Sequence, residues 1–179
     1  LSPAVIHQDV KADNILLGAA GAADEYLVAK LADFGTARVT PILSSGDAMS
    51  TRHIVGTGPY MPPEYALSGR VGAKTDTYAF GVVLAELMTS KPAADPQTRQ
   101  LLVVELAPAL ENPKALLAPF LDVRAGAWDA RRARQLAAVV YRCVEREHYR
   151  CVVADVVVEV DELAGRGKGR KGGGLWGFC

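Results

Sequence analysis

Cysteine is scarce in this sequence. Cys143, Cys151 and Cys179 are the only three, too few and too oddly spaced for a disulfide framework or a zinc site. A reducing, cytosolic setting is therefore the default. Long apolar runs are also lacking, and none approaches the 18 or so residues of a membrane span. The N-terminal LSPAVIHQDV has no charged stretch followed by an apolar one and does not read as a signal peptide. Net charge is absent too, because 20 basic residues cancel 20 acidic ones. Charge thus gives no reason to expect a nucleic-acid partner.

Half of the 179 residues are apolar and 22% are charged, the balance of a soluble domain with a real core. The charge is unevenly spread. Residues 165–179 hold Arg166, Lys168, Arg170 and Lys171 and no acid, which leaves 16 basic and 20 acidic side chains before them. The glycine-rich stretch GRGKGRKGGG at 165–174 reads as a solvated flexible tail. A basic anchor for RNA or anionic lipid is the sharper alternative, but no aromatic residues interleave its charges.

The first third is broken into short apolar runs, VIHQDV, NILL and YLVAKLADFG, separated by turn-formers. That pattern predicts short strands and loops, with a small-residue hairpin loop at Gly18–Asp24. Residues 36–59 are rich in Ser, Thr, Gly and Pro without period and predict one long loop. From Asp76 the pattern turns helical. Thr75 or Asp76 is placed to cap a helix running to about Thr89, before Pro92, with apolar residues nearly all round. A second helix is expected over 99–107, with Pro108 and Pro113 breaking the chain after it. Asp129 caps a third, in which Ala133, Leu136, Ala137, Val140, Tyr141 and Val144 share a face. Residues 152–164 fit a fourth helix or, given their valines, a strand over 152–158. The chain is thus expected to be mainly α with a few short strands.

Chemistry enters with His7-Gln8-Asp9-Val10-Lys11-Ala12-Asp13-Asn14. Here a carboxylate is followed two residues on by a cation and five residues on by a carboxamide. Phosphoryl transfer uses that set: an acceptor for the hydroxyl proton, a positive charge for the phosphoryl group, and an oxygen ligand for Mg²⁺. Alone, the segment also reads as a polar turn between strands. Nineteen residues after Asn14 stands Asp33-Phe34-Gly35, which suits a metal ligand at a strand end or an ordinary β-turn.

In this order the two segments resemble the protein-kinase catalytic loop and its magnesium-binding Asp-Phe-Gly. Gly56-Thr57-Gly58-Pro59-Tyr60-Met61-Pro62-Pro63-Glu64 is similar to the substrate-binding loop that ends in Ala-Pro-Glu, with Pro62 in the alanine place. Residues 74–89 resemble the start of the central C-lobe helix. Arg150, seven residues after Cys143, resembles the family's late arginine. The wording of YMPPEY and TDTYAFGVVLAELMTSKP is most similar to the receptor-like and interleukin-receptor-associated kinases.

The resemblance implies a protein-kinase-like C-lobe over residues 1–164 and the function of a serine/threonine protein kinase in signalling. Such an enzyme uses ATP and Mg²⁺ to phosphorylate Ser or Thr of a protein substrate. By this likeness Asp9 accepts the substrate proton, Lys11 neutralises the γ-phosphate, Asn14 and Asp33 hold Mg²⁺, and Leu16 lies under adenine. Thr57 bridges Asp9 and Lys11. His7 and Phe34 stack between the lobes, Asp76 caps the catalytic loop, and Glu64 pairs with Arg150. The residue before the catalytic aspartate is Gln8, where most of the family has an arginine that meets a loop phosphate. Phosphorylation at Ser44, Ser45, Ser50 or Thr51 therefore cannot act through it.

The sequence contains no glycine-rich loop and no strand lysine with a helix-glutamate partner, so the N-lobe is expected to be absent from this chain. The expectation is a fragment of a longer kinase, inactive alone, cytoplasmic or from the cytosolic part of a membrane receptor. The alternative is a non-catalytic, kinase-derived interaction module. A small-molecule phosphotransferase also uses a similar loop, but Thr57 with Pro63-Glu64 speaks for a peptide groove.

Overall fold

The computed structural model describes residues 4–19, 27–40, 49–147, 149–151, 156, 157, 159, 160 and 163. The sites at Ser44 and Ser45, most of the Gly18–Asp24 stretch and the basic tail lie outside the described residues. The N-terminal part is built from β1 (Ala4–Ile6), β2 (Ile15–Ala19), β3 (Leu27–Leu31) and β4 (Arg38–Thr40). β1 pairs with β4 and β2 with β3, both antiparallel, so the turn at residues 7–14 links two separate ladders. Gly18 belongs to β2, opposite Val28, and not to the connecting loop.

The 36–59 stretch is more ordered than its composition predicts. It contains β4 and β5 (Met49–Ser50), and β5 pairs with β6 (Arg70–Val71) just after α1 (Pro63–Ser68). Two-residue strands carry no readable alternation, which is why the pattern hid them.

The helical part contains α2 (Ala73–Thr89), α3 (Leu102–Glu111), α4 (Pro113–Leu116) and α5 (Ala130–Val144). α2 begins earlier than expected. Gly72 is its N-cap, and the Thr75 hydroxyl accepts from the Gly72 N–H at 3.1 Å. Asp76 does not cap this helix, because its carboxylate is turned toward the 7–14 turn. α2 is buried along most of its length, yet Leu87 is 68% exposed, so the apolar coat is not complete. α5 starts as expected, with the Asp129 side chain accepting from the Arg132 N–H at 2.7 Å. Its stripe Ala133, Ala137 and Val140 is buried against α2 and α3.

Proline does not stop α3, contrary to the expectation from sequence. Pro108 lies inside it, exposed and in the last turn. The bond that its missing N–H forfeits belongs to Val104, itself exposed, and the Pro108 carbonyl still accepts from Asn112 at 3.1 Å. At the chain's far end the described residues 156, 157, 159, 160 and 163 are helical, and Val156 is fully buried in the helical core. At 156 and 157 the chain is therefore helix and not strand; residues 152–155 and 158 lie outside the described residues. No helix among the described residues is long and apolar enough to cross a membrane.

Candidate active site

The site grows from the turn between β1 and β2. Asp76 on α2 holds its backbone: Oδ2 accepts from the His7 N–H at 2.7 Å and Oδ1 from the Gln8 N–H at 2.9 Å. Burial pushes the Asp76 carboxyl up, and these two bonds work against that. Gln8 sits at φ 69°, a left-handed conformation uncommon outside glycine, which turns the chain sharply into Asp9. His7 is buried and braces the turn. Its Nδ1 accepts from the Asp9 N–H at 3.3 Å, which leaves Nε2 to donate to the Ala32 carbonyl at 3.0 Å. The His7 carbonyl accepts from the Thr36 hydroxyl at 2.8 Å, and its ring meets the Phe34 ring edge-on at 4.8 Å. Phe34 itself remains half-exposed.

Four side chains converge just beyond. The Thr57 hydroxyl donates to Asp9 Oδ1 at 2.7 Å and accepts from Lys11 Nζ at 2.9 Å. Lys11 Nζ also lies 3.0 Å from Asp9 Oδ2. Asn14 Nδ2 donates to the Asp9 carbonyl at 2.8 Å and to Asp9 Oδ2 at 3.2 Å. Burial pushes the Asp9 carboxyl up, but the bonds from Thr57, Lys11 and Asn14 and the Lys11 charge outweigh it and hold Asp9 below its ordinary range.

The β2–β3 hairpin positions the two candidate oxygen ligands, Asn14 and Asp33. The Ala32 N–H donates to the Asn14 carbonyl at 2.8 Å, adding one rung beyond the Ile15↔Leu31 pair. Asp33 therefore leaves the ladder next to Asn14. It adopts φ 60°, is exposed, and accepts from the Gly35 N–H at 3.3 Å. The Asn14 amide nitrogen faces Asp9, which leaves Oδ1 as its acceptor. An amide oxygen and a carboxylate are hard donors that suit Mg²⁺, which takes one or two protein oxygens together with substrate phosphates. Among the described residues no group of three or more His, Cys, Asp or Glu forms a metal cage, as that mode of binding requires none. Leu16 stands exposed on β2, opposite Lys30.

The loop that delivers Thr57 is fastened by residues that no sequence motif marks for this role. Tyr65 on α1 is fully buried; its hydroxyl donates to the Val55 carbonyl at 3.1 Å and accepts from the Val55 N–H at 2.9 Å. Gly56 has φ 109°, and a Cβ there would lie 2.4 Å from the Gln8 carbonyl oxygen. Gln8 Nε2 reaches the Tyr65 hydroxyl at 3.5 Å, the outer limit of a hydrogen bond, and Oε1 is buried without a partner among the described residues. An orphaned buried oxygen costs about 1–3 kcal/mol. The Tyr60 hydroxyl donates to Glu86 Oε2 at 2.8 Å, while Glu86 Oε1 accepts from the Ala93 N–H at 2.9 Å. Burial first, then Glu86, pushes the Tyr60 phenol well up, and burial does the same to Glu86. Tyr60 and Tyr65 lie in the GTGPYMPPEY segment, but nothing local to them announces partners on α2 or in the loop. Glu64 and Arg150, also named from the sequence, meet at 2.5 Å.

Three relatives in Arabidopsis thaliana illustrate what the chain is similar to. Probable serine/threonine-protein kinase PBL22 is 38% identical over 175 residues, covering 94% of this chain and 43% of the relative. Probable serine/threonine-protein kinase PBL6 is 40% identical over 171 residues, covering 92% and 38%. Serine/threonine-protein kinase PBS1 is 39% identical over 170 residues, covering 91% and 35%. The chain thus spans about two fifths of the length of the curated relatives it matches. The family model described as protein kinase domain matches residues 2–108, from before the Asp9 turn to within α3, and the chain belongs to that family.

Proposed function

We propose that this chain serves as part of a serine/threonine protein kinase, with residues 1–164 as a partial kinase domain that supplies the catalytic lobe, in an enzyme that transfers the γ-phosphate of ATP to a Ser or Thr hydroxyl of a protein. The observation that carries the reading is the closed triangle of Asp9, Lys11 and Thr57, with sides of 2.7, 2.9 and 3.0 Å. It joins a proton acceptor and a cation through a hydroxyl from the loop that resembles a peptide-binding segment.

Asp9 is ionised at neutral pH and faces Thr57 and Lys11. A carboxylate held below its usual range is a weak base. Its first role is therefore to orient the substrate hydroxyl, taking the proton only as the bond to phosphorus forms. Lys11 brings a positive charge to the transferring group. Asn14 and Asp33 would hold Mg²⁺, which supplies charge neutralisation on the β- and γ-phosphates. Leu16, apolar and exposed beside Asn14, would lie under adenine. The cytosolic setting expected from three oddly spaced cysteines belongs to this reading.

The test joins this segment behind the N-lobe of an Arabidopsis relative and analyses the phosphorylated residues of a protein substrate. Phosphoserine or phosphothreonine is the expected product. Phosphotyrosine, or phosphorylation of small molecules alone, overturns the reading.

A further inference from the structure

Three consecutive loop residues grip two consecutive residues of the catalytic turn. Val55 is tied on both its N–H and its carbonyl to the Tyr65 hydroxyl, which Gln8 Nε2 also approaches. Gly56 packs its backbone on the Gln8 carbonyl, so closely that only glycine fits. Thr57 bonds Asp9. Gln8 is 5% exposed, left-handed in φ, and its Oε1 lacks a partner among the described residues. Two local costs at one residue, directly before the proposed base, mark a position held for what it does to its neighbours. Every group in the grip is uncharged except Asp9 and the Lys11 that shares Thr57.

We infer that Gln8 is a positioning residue: with Tyr65 it latches the catalytic turn to loop 55–57 through neutral hydrogen bonds, so that Thr57 meets Asp9 without a phosphate on the loop. This rests on the reading of Asp9 and Thr57 as kinase machinery only for its consequence on rate. The latch itself is a statement about structure. A charged arginine here would need a counter-charge to settle in the same buried place, whereas the amide needs only a hydroxyl.

Hydrogen–deuterium exchange on the 179-residue chain tests the latch without any kinase assay. Gln8→Met keeps the size of the side chain and removes both amide groups. Exchange across 55–57 should speed up roughly tenfold, the loss of one ordinary hydrogen bond, with α2 and α5 protected as before. Tyr65→Phe, which also removes both Val55 bonds, should speed it further, and the double variant should go no further than Tyr65→Phe alone. Unchanged exchange at 55–57, a uniform loss of protection, or additive effects would each overturn the latch. Should Gln8→Met fail to fold, Tyr65→Phe carries the test alone, because it must also release the Gln8 side-chain amide protons to exchange. In the chimaeric kinase, Gln8→Met should lower kcat and leave the KM for ATP unchanged, and phosphatase treatment of the wild type should not alter its rate. A wild-type rate abolished by phosphatase contradicts the inference. A chimaera inactive from the outset contradicts the proposed function instead and leaves the exchange result to decide the latch.

Discussion

Arg150 and Glu64, 86 residues apart in the chain, form a two-pronged ion pair: Nη1 lies 2.5 Å from Oε1 and Nη2 3.4 Å from Oε2. The partners are unequal. Arg150 is sealed from solvent while Glu64 keeps 17% side-chain exposure. Arg150 also donates to the Glu145 carbonyl at 2.7 Å and the Lys74 carbonyl at 3.2 Å, and its guanidinium lies 4.9 Å from the Tyr78 ring centre. One side chain thus pins the start of α1, the first turn of α2 and the end of α5.

The inequality predicts unequal costs. Glu64→Gln leaves the sealed Arg150 cation with its carbonyl acceptors but without a counter-charge, and should cost about 3 kcal/mol. Arg150→Ala strands Glu64 and two carbonyls and also loses the packing on Tyr78, and should cost about 5 kcal/mol. Urea unfolding of the two variants measures both, and equal losses would mean that the extra Arg150 bonds carry no weight.

Gly81 sets the distance between α2 and α5. A Cβ on it would come within 2.5 Å of Cys143 Cβ and 2.9 Å of Val144 Cγ1. Neither atom is the end of a flexible side chain, so the helices must part. Gly81→Ala gains about 1 kcal/mol of helix propensity but should lose more through overpacking, typically about 1–3 kcal/mol. Thermal melting should show a lower Tm, whereas a stabilised variant would show slack between the helices.

The Thr57 bond heads the interactions that hold Asp9 below its ordinary range against the upward push of burial. A depressed carboxyl adds stability above its unfolded pKa of about 3.9 and loses that contribution as pH falls through the folded value. Thr57→Val removes the donor and should raise the folded value. The acid-side loss should then still begin near the unfolded pKa but be complete at a higher pH, and the gain near neutrality should shrink. Urea midpoints measured between pH 7 and pH 3 check this, and superimposable wild-type and variant profiles would show that Thr57 does not set the ionisation of Asp9.

The long helices were legible because their signals are local. Asp129 beside the Ala133, Ala137, Val140 stripe marks α5 without any tertiary knowledge, and the short apolar runs NILL and YLVAKLADFG on either side of a small-residue stretch mark a hairpin. Asp76 carried two readings, a helix cap from the pattern and a cap of the 7–14 turn from the family resemblance; the distant His7 and Gln8 N–H groups claim its carboxylate, so the second holds and the first does not. Pro108 misled because a break requires a buried carbonyl to be orphaned, and Val104 faces solvent. Around the site, the spacing from Asp9 to Lys11 to Asn14 announces the chemistry. The part played by Gly56 and Tyr65 does not show in sequence, since their partners arrive through folding from as far as 57 residues away.

The central claim is that Asp9 orients the substrate hydroxyl, and Asp9→Asn tests it most directly because it keeps the size of the side chain and removes the charge. Single-turnover rates of phosphoryl transfer in the chimaeric kinase should fall roughly 10²–10⁴-fold, the usual worth of a positioned general base. ATP affinity should hold, since the proposed nucleotide contacts fall to Lys11, Asn14, Leu16 and Asp33. A variant that transfers phosphate at the wild-type rate would contradict the role of Asp9.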